Sequence, residues 1–286
     1  MTEIENVSDT AFWIANYRAT ETDRPDALFR DPLARKLAGE RGREIANSMP
    51  GSKMTEWITA VRTVVIDDLI QQAIATGIDT ILNLGAGLDT RPYRMTLPKN
   101  LRWIEVDFPP IIEYKEKQLA GETPHCQLER VKLDLRNREL RTEFLSSVNV
   151  QAQRVLVLTE GVVPYLSIDD AASLADDLKA NANFESWIVD YFSRQVIAMR
   201  RRAGLRERMQ NAPFQFDPPN WNEFFLNHGW RVGQMTYLSD EAMRRNRAVP
   251  LPAIAKLFYL VRSWFMSKEK LRVAMQFMGY ARMERA

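Results

Sequence analysis

Residues 81–91 read ILNLGAGLDTR: an apolar run, two glycines one residue apart, then an acid, a threonine and an arginine. Glycines at the end of a strand let the backbone approach a ligand with no Cβ in the way. A tight turn that holds nothing can use the same pair. Thr90 stands where the dinucleotide fingerprint has its third glycine. That weighs against tight pyrophosphate binding. It leaves room for a ligand that carries a ribose and an amino acid but no phosphate.

Acids recur at the ends of the apolar runs that follow. Asp107 closes the run 101–107 and lies 20 residues beyond Gly87. A carboxylate there can accept both hydroxyls of a ribose, or it can cap the helix that opens at Pro109. Asp134 and Leu135 close the run 127–135. They could read an adenine amino group and pack on its ring, or form an ordinary charged turn. Glu160 follows the most apolar run, 154–159. A carboxylate in such surroundings needs a partner, either a cationic ligand or a structural Arg or Lys. Arg62 sits among apolar residues in ITAVRTVVI. It could clamp a carboxylate bidentately, or lay its stem along the surface with its charge in water.

The elements that must position these residues alternate. Residues 53–77 have helical spacing of apolar side chains and end at Gly77. Strands are predicted at 79–84, 101–107, 127–135, 154–161 and 186–192. The helices between them include one opening at Pro109 and one capped by Ser167 in a capping-box pattern with Asp170. A strand–helix repeat of this kind predicts an open, mostly parallel α/β sheet with helices on both faces. Its ligand belongs beyond the carboxyl ends of the strands, where the candidate residues fall. Two late runs, WRVGQMTYL and AMQFMGYARM, read as an added hairpin that brings the sheet to seven strands. Residues 1–52 read as an N-terminal helical cap on one compact domain, 53–286, and residues 193–270 as an acceptor and lid region. Within that region the apolar stretch 251–266 is expected to close over the pocket, and Phe214, Phe216 and Trp221 to wall it.

With 39 basic and 37 acidic residues the net charge is +2, so no global field draws the chain to nucleic acid or an anionic membrane. The run MRRRAGLRERMQ spreads its arginines around a helix axis and reads as a solvated or lid-edge helix. No stretch is long and apolar enough to predict a membrane span, and the polar start MTEIENVSDT does not resemble a signal peptide. Cys126 is the single cysteine, which points to a reducing, cytoplasmic compartment. No Cys/His cluster has metal-ligand spacing, and no metal is expected.

The segments FRDPLARKL, VRTVVIDDLI, NLGAGLDTRPYR, EVDFPPIIEYKEKQL, LDLR and LTEGVVPYL stand in the order of the leucine carboxyl methyltransferase superfamily. Over about residues 10–190 the chain resembles that superfamily, and most closely its bacterial branch of tetracenomycin-type polyketide O-methyltransferases, which often serve secondary metabolism. The resemblance implies a class I methyltransferase, Rossmann-like fold and S-adenosyl-L-methionine as cofactor. It implies that Arg62 holds the methionine carboxylate and that Gly85 lines the cofactor with Gly87 in the same turn. Asp107 would take the ribose, Asp134 and Leu135 the adenine, and Glu160 would sit near the methionine end. Arg18 would add a second cation from the cap.

Methyl transfer from a sulfonium requires two reactants held in line and water kept out. A carboxylate acceptor is already ionised at neutral pH, whereas a phenol usually requires a base. The only histidines, His125 and His228, lie in no motif. The expectation is therefore O-methylation, base-free for a carboxylate and otherwise at a hydroxyl, of a small apolar or aromatic acceptor near Tyr165. A nicotinamide-dependent oxidoreductase on the same sheet and a cofactor-binding homologue without chemistry are the alternatives.

Overall fold

A computed structural model describes residues 7–49, 52–202, 213–250 and 267–286. The predicted sheet is present. Five parallel strands, β1 (Thr80–Leu84), β2 (Arg102–Asp107), β3 (Gln127–Lys132), β4 (Val155–Thr159) and β5 (Phe184–Phe192), join two antiparallel ones, β6 (Trp230–Tyr237) and β7 (Met278–Arg285). The order is β3-β2-β1-β4-β5-β7-β6, so the winding reverses between β1 and β4. Ligands in open α/β sheets bind at such a switch.

Side-chain alternation divides the core in two. From β1, Ile81 points to one face, where it meets Val61, Val65, Leu69 and Ile70 of α3 (Ser52–Ala75). Leu82 and Leu84 point to the other. There they meet Leu145 and Val148 of α6 (Arg138–Gln151) and Leu174 and Leu178 of α7 (Ile168–Lys179). Every residue of β1 and of β4 is buried, as expected of strands covered on both faces. Gly77 ends α3 with φ +97°, and Ser167 caps α7 by accepting from Asp170 N at 3.0 Å.

Crossing from β1 to β2 takes only one helical turn, α4 (Arg91–Arg94), so no long helix presents its N-terminus to the glycine turn. The crossing to β3 carries α5 (Pro109–Gln118). The cap comprises α1 (Val7–Thr22) and α2 (Ala34–Ser48). Beyond β5 lie α8 (Arg194–Arg202), α9 (Trp221–Asn227), α10 (Leu238–Arg244) and α11 (Lys268–Met275).

Three sequence expectations need correction. The third strand ends at Lys132, so Asp134 and Leu135 lie in the turn before α6, which Asn137 caps. The last strand begins four residues later than AMQFMGYARM suggests. Ser267 caps a helix that runs through Met275 and takes up the start of that run. Asp107 does not cap the helix behind it, because Phe108 occupies that position. The proposed lid, 251–266, and most of the arginine run lie outside the described residues. Among the described residues no helix is long and apolar enough to cross a membrane.

Candidate functional site

The turn after β1 is shaped by its two glycines. Gly85 has φ +70°, and a Cβ there would stand 2.4 Å from Val162 Cγ2. Gly87 has φ +48° and faces Ala11 of the cap. No other residue fits at Gly85 without strain or clash. The turn is pinned to β2 by Asp107. Its Oδ2 accepts from Gly87 N at 2.6 Å and its Oδ1 from Phe108 N at 2.7 Å. Burial pushes the Asp107 carboxyl above its usual range, and those two amides only partly offset this.

Thr90 and the acid and arginine beside it tie this turn to the rest of the molecule. Thr90 Oγ1 donates to Asp31 Oδ2 at 2.7 Å. Arg18 of α1 donates from Nε to the same oxygen at 2.9 Å and from Nη2 to Leu88 O at 2.5 Å. The missing third glycine is thus a hydroxyl that clips the cap to the turn. Arg91, 2% exposed, bonds Asp67 of α3 at 2.7 Å, Asp89 at 2.9 Å and Glu160 at 2.7 Å. Burial alone would raise Asp89, but Arg91 and the neighbouring cations hold it far below the usual carboxylate range. Glu160 is lowered in the same way, with Arg91 and Arg62 outweighing its burial.

Glu160 therefore has structural partners in Arg91 and Arg62, and it also lines the cavity described below. Arg62 Nε stands 3.0 Å from Glu160 Oε1 without the angle for a hydrogen bond. Of the two guanidinium groups at Glu160, Arg91 is the one that bonds it, and Arg62 is the less committed.

These residues border one cavity of about 340 Å³ that runs along the carboxyl ends of the strands. Arg18, Arg62, Gly85, Gly87, Asp107 and Glu160 all line it, together with Asp134, Leu135 and Tyr165. Every residue that the sequence reading placed at the cofactor is gathered there, with Tyr165. Asp134 is half exposed and held by Arg136, whose Nη2 donates to Oδ2 at 2.7 Å; that bond lowers its pKa. Tyr165 packs edge-on against Phe214, ring centroids 5.0 Å apart, and both line the cavity. Phe216 and Trp221 do not. They pack against Phe225 in the core on the α6–α7 side, because α9 docks there. His125 bonds Met95 O and His228 bonds Asp176, both away from the cavity.

Sequence reasoning missed several lining residues. Asp190, 3% exposed, lies in β5 and accepts from Tyr280 Oη at 2.8 Å and from Gly161 N at 3.0 Å. Burial pushes its carboxyl up to about 6, with the Tyr280 hydroxyl, Arg62 and the Gly161 amide holding it from going higher. Thr59 of α3 is fully buried, and its Oγ1 has no hydrogen-bond partner among the described residues. An acid inside the apolar strand SWIVDYF was the available signal for Asp190. Nothing in sequence marked Thr59.

Comparison with known proteins gives the family. The family model for leucine carboxyl methyltransferase matches residues 11–179. The chain belongs to the leucine carboxyl methyltransferase family. A relative from Streptomyces coelicolor is 31% identical, covering 83% of this chain and 87% of its own length. One from Mycobacterium avium is also 31% identical, covering 86% of each. Both are named for S-adenosyl-L-methionine-dependent methyltransferase activity. A solved structure from Thermobifida fusca, named as a methyltransferase, shares the fold with a TM-score of 0.57. It is 14% identical and covers 98% of this chain and 94% of its own. Family and relatives together make this chain an S-adenosyl-L-methionine-dependent methyltransferase with a class I fold.

Proposed function

We propose that this family member transfers the methyl group to an oxygen, carboxylate or hydroxyl, of a small apolar or aromatic acceptor, as in the polyketide O-methyltransferase branch it resembles. The observation that carries this reading is the single cavity in which all the candidate strand-end residues meet.

The chain's groups fit the cofactor part by part. Asp134 and Leu135, beyond β3, face the adenine, and Asp107, beyond β2, takes the ribose hydroxyls. Gly85 and Gly87 let the backbone lie against the amino-acid chain. Arg62, which lines the cavity, holds the methionine carboxylate. Glu160 fixes Arg62 rather than binding the cofactor's cation directly. S-adenosyl-L-methionine supplies an electrophilic methyl group on a good leaving group. The protein's share is orientation and exclusion of water, and the cap over the glycine turn supports both.

Calorimetric titration with S-adenosylhomocysteine tests this, with NAD as a parallel ligand. Micromolar binding that weakens at least tenfold in Asp107→Ala is expected. Binding of NAD instead, or equal affinity in the variant, would sink the assignment of the strand-end residues. Binding without turnover of any oxygen acceptor would favour a homologue that has lost its chemistry.

A further inference from the structure

The cofactor positions run in a line along the sheet, from β3 through β2 and β1 to Glu160 beyond β4. The cavity does not stop there. It continues over β5 and β7, lined by Asp190, Phe192, Met278 and Tyr280, with Thr59 of α3 and Phe214 above. Strands are spaced about 5 Å apart. Asp190 therefore stands one strand beyond the end of the cofactor, where the acceptor must meet the methyl group.

We propose that this half of the cavity is a subsite for a neutral, hydroxyl-bearing aromatic acceptor, and that Asp190 takes the hydroxyl proton. The proposal rests on the cofactor reading above. Three observations carry it. First, the walls are apolar and aromatic, which suits a ring. Second, among the described residues no lining cation is left for an acceptor carboxylate. Of the three arginines lining the cavity, Arg18 is held by Asp31 and Leu88 O, Arg136 by Asp134, and Arg62 lies against Glu160. An anionic acceptor would meet the Asp190 carboxylate instead. Third, Asp190 is fixed by two donors on different elements, Tyr280 on β7 and the Gly161 amide after β4, which leave its other lone pairs unspent. The buried Thr59 hydroxyl, without a hydrogen-bond partner among the described residues, offers the acceptor a second hydrogen bond.

The groups facing Asp190 are Arg62 from α3, Glu160 after β4 and Tyr280 from β7. Against these, burial leaves the carboxyl titrating at about 6, so it is ionised and basic at neutral pH. The step balances. The acceptor's O–H proton passes to an Asp190 carboxylate oxygen. The acceptor oxygen forms its bond to the sulfonium methyl as the C–S bond breaks, and that pair returns to sulfur. A methyl ether and S-adenosylhomocysteine result, and Asp190 gives its proton to solvent. The base-free carboxylate reading drawn from the histidines overlooked this acid.

The experiment uses matched rings, 2-naphthol and 2-naphthoate, titrated calorimetrically into the full chain saturated with S-adenosylhomocysteine at pH 7.5. The wild type is expected to bind the naphthol at least tenfold tighter than the naphthoate. Asp190→Asn should erase or invert that preference while binding S-adenosylhomocysteine within about twofold of wild type. With S-adenosyl-L-methionine, 2-naphthol should give the methyl ether, at a rate about a hundredfold lower in Asp190→Asn. Tyr280→Phe guards against a misfolded variant. It removes a bond that holds the Asp190 pKa down, so the acid limb of the ether-forming rate should move to higher pH. Preference for the naphthoate, or binding of neither ring, overturns the proposal. So does a tenfold loss of S-adenosylhomocysteine affinity in Asp190→Asn, which would place the carboxylate on the cofactor. Failure of the wild type to bind S-adenosylhomocysteine at all would overturn the cofactor reading instead.

Discussion

At the scale of single residues, two arginines meet one glutamate and divide the work. Arg91 bonds Asp67, Asp89 and Glu160 inside the protein, while Arg62 touches only Glu160 among these and opens onto the cavity. Removing one partner of a buried ion pair leaves an uncompensated charge, at a cost of roughly 3–5 kcal/mol. Arg91→Met should lose about that much stability in urea unfolding, because among the described residues Asp89 would keep only Asn83 as a side-chain hydrogen-bond donor. Arg62→Met should cost less, since Glu160 retains Arg91. A charge-assisted hydrogen bond is worth roughly 1.5–3 kcal/mol, so Arg62→Met should weaken S-adenosylhomocysteine binding roughly tenfold or more. If Arg62→Met proved as destabilising as Arg91→Met yet bound normally, Arg62 would be a structural residue.

At the scale of elements, the sheet and the glycine turn were readable because their signals are local. The apolar runs that became β1 and β4, Gly77 ending α3 and Ser167 opening α7 all lie within a few residues of what they determine. The partners of Arg91 come from α3 and from beyond β4, 24 and 69 residues away, so its role was not readable. Phe216 and Trp221 were misplaced for a related reason: aromatic density does not tell which face of a sheet a helix will cover. Asp31 is another tertiary residue, joining Arg18 of the cap and Thr90 of the turn at one oxygen. Asp31→Asn should weaken that clip. Hydrogen exchange in residues 7–22 is expected to rise while β1, β4 and β5 stay protected, with S-adenosylhomocysteine affinity falling about tenfold. Unchanged exchange in α1 would mean that the helix is held by its apolar contacts alone.

At the scale of the whole molecule, the site carries a cost in stability that depends on pH. Asp89 and Glu160 have lowered pKa values, so they stabilise the fold above the ordinary carboxylate range, and that contribution is lost as pH falls. Asp190 works in the opposite sense. Its folded pKa of about 6 lies above the ordinary 3.8, so the folded state holds the proton more tightly than the unfolded chain. Stability tied to Asp190 is therefore present below about pH 4 and lost as pH rises to about 6. A shift of two units corresponds to about 3 kcal/mol as an upper figure. Asp190→Asn cannot ionise. Its amide can still accept from the Gly161 N–H and donate to the Tyr280 hydroxyl oxygen, and any residual cost is the same at every pH and cancels in a difference. Urea unfolding of the cofactor-free wild type and variant at pH 4.5 and 7.5 isolates the term. The variant should gain on the wild type by about 1–3 kcal/mol at the higher pH. A difference that does not change with pH would mean that Asp190 is solvated like a surface carboxylate, and its tuning for proton transfer would fail with it. A gain of the expected size would show the fold giving up stability at neutral pH to keep an ionised acid buried in the cavity.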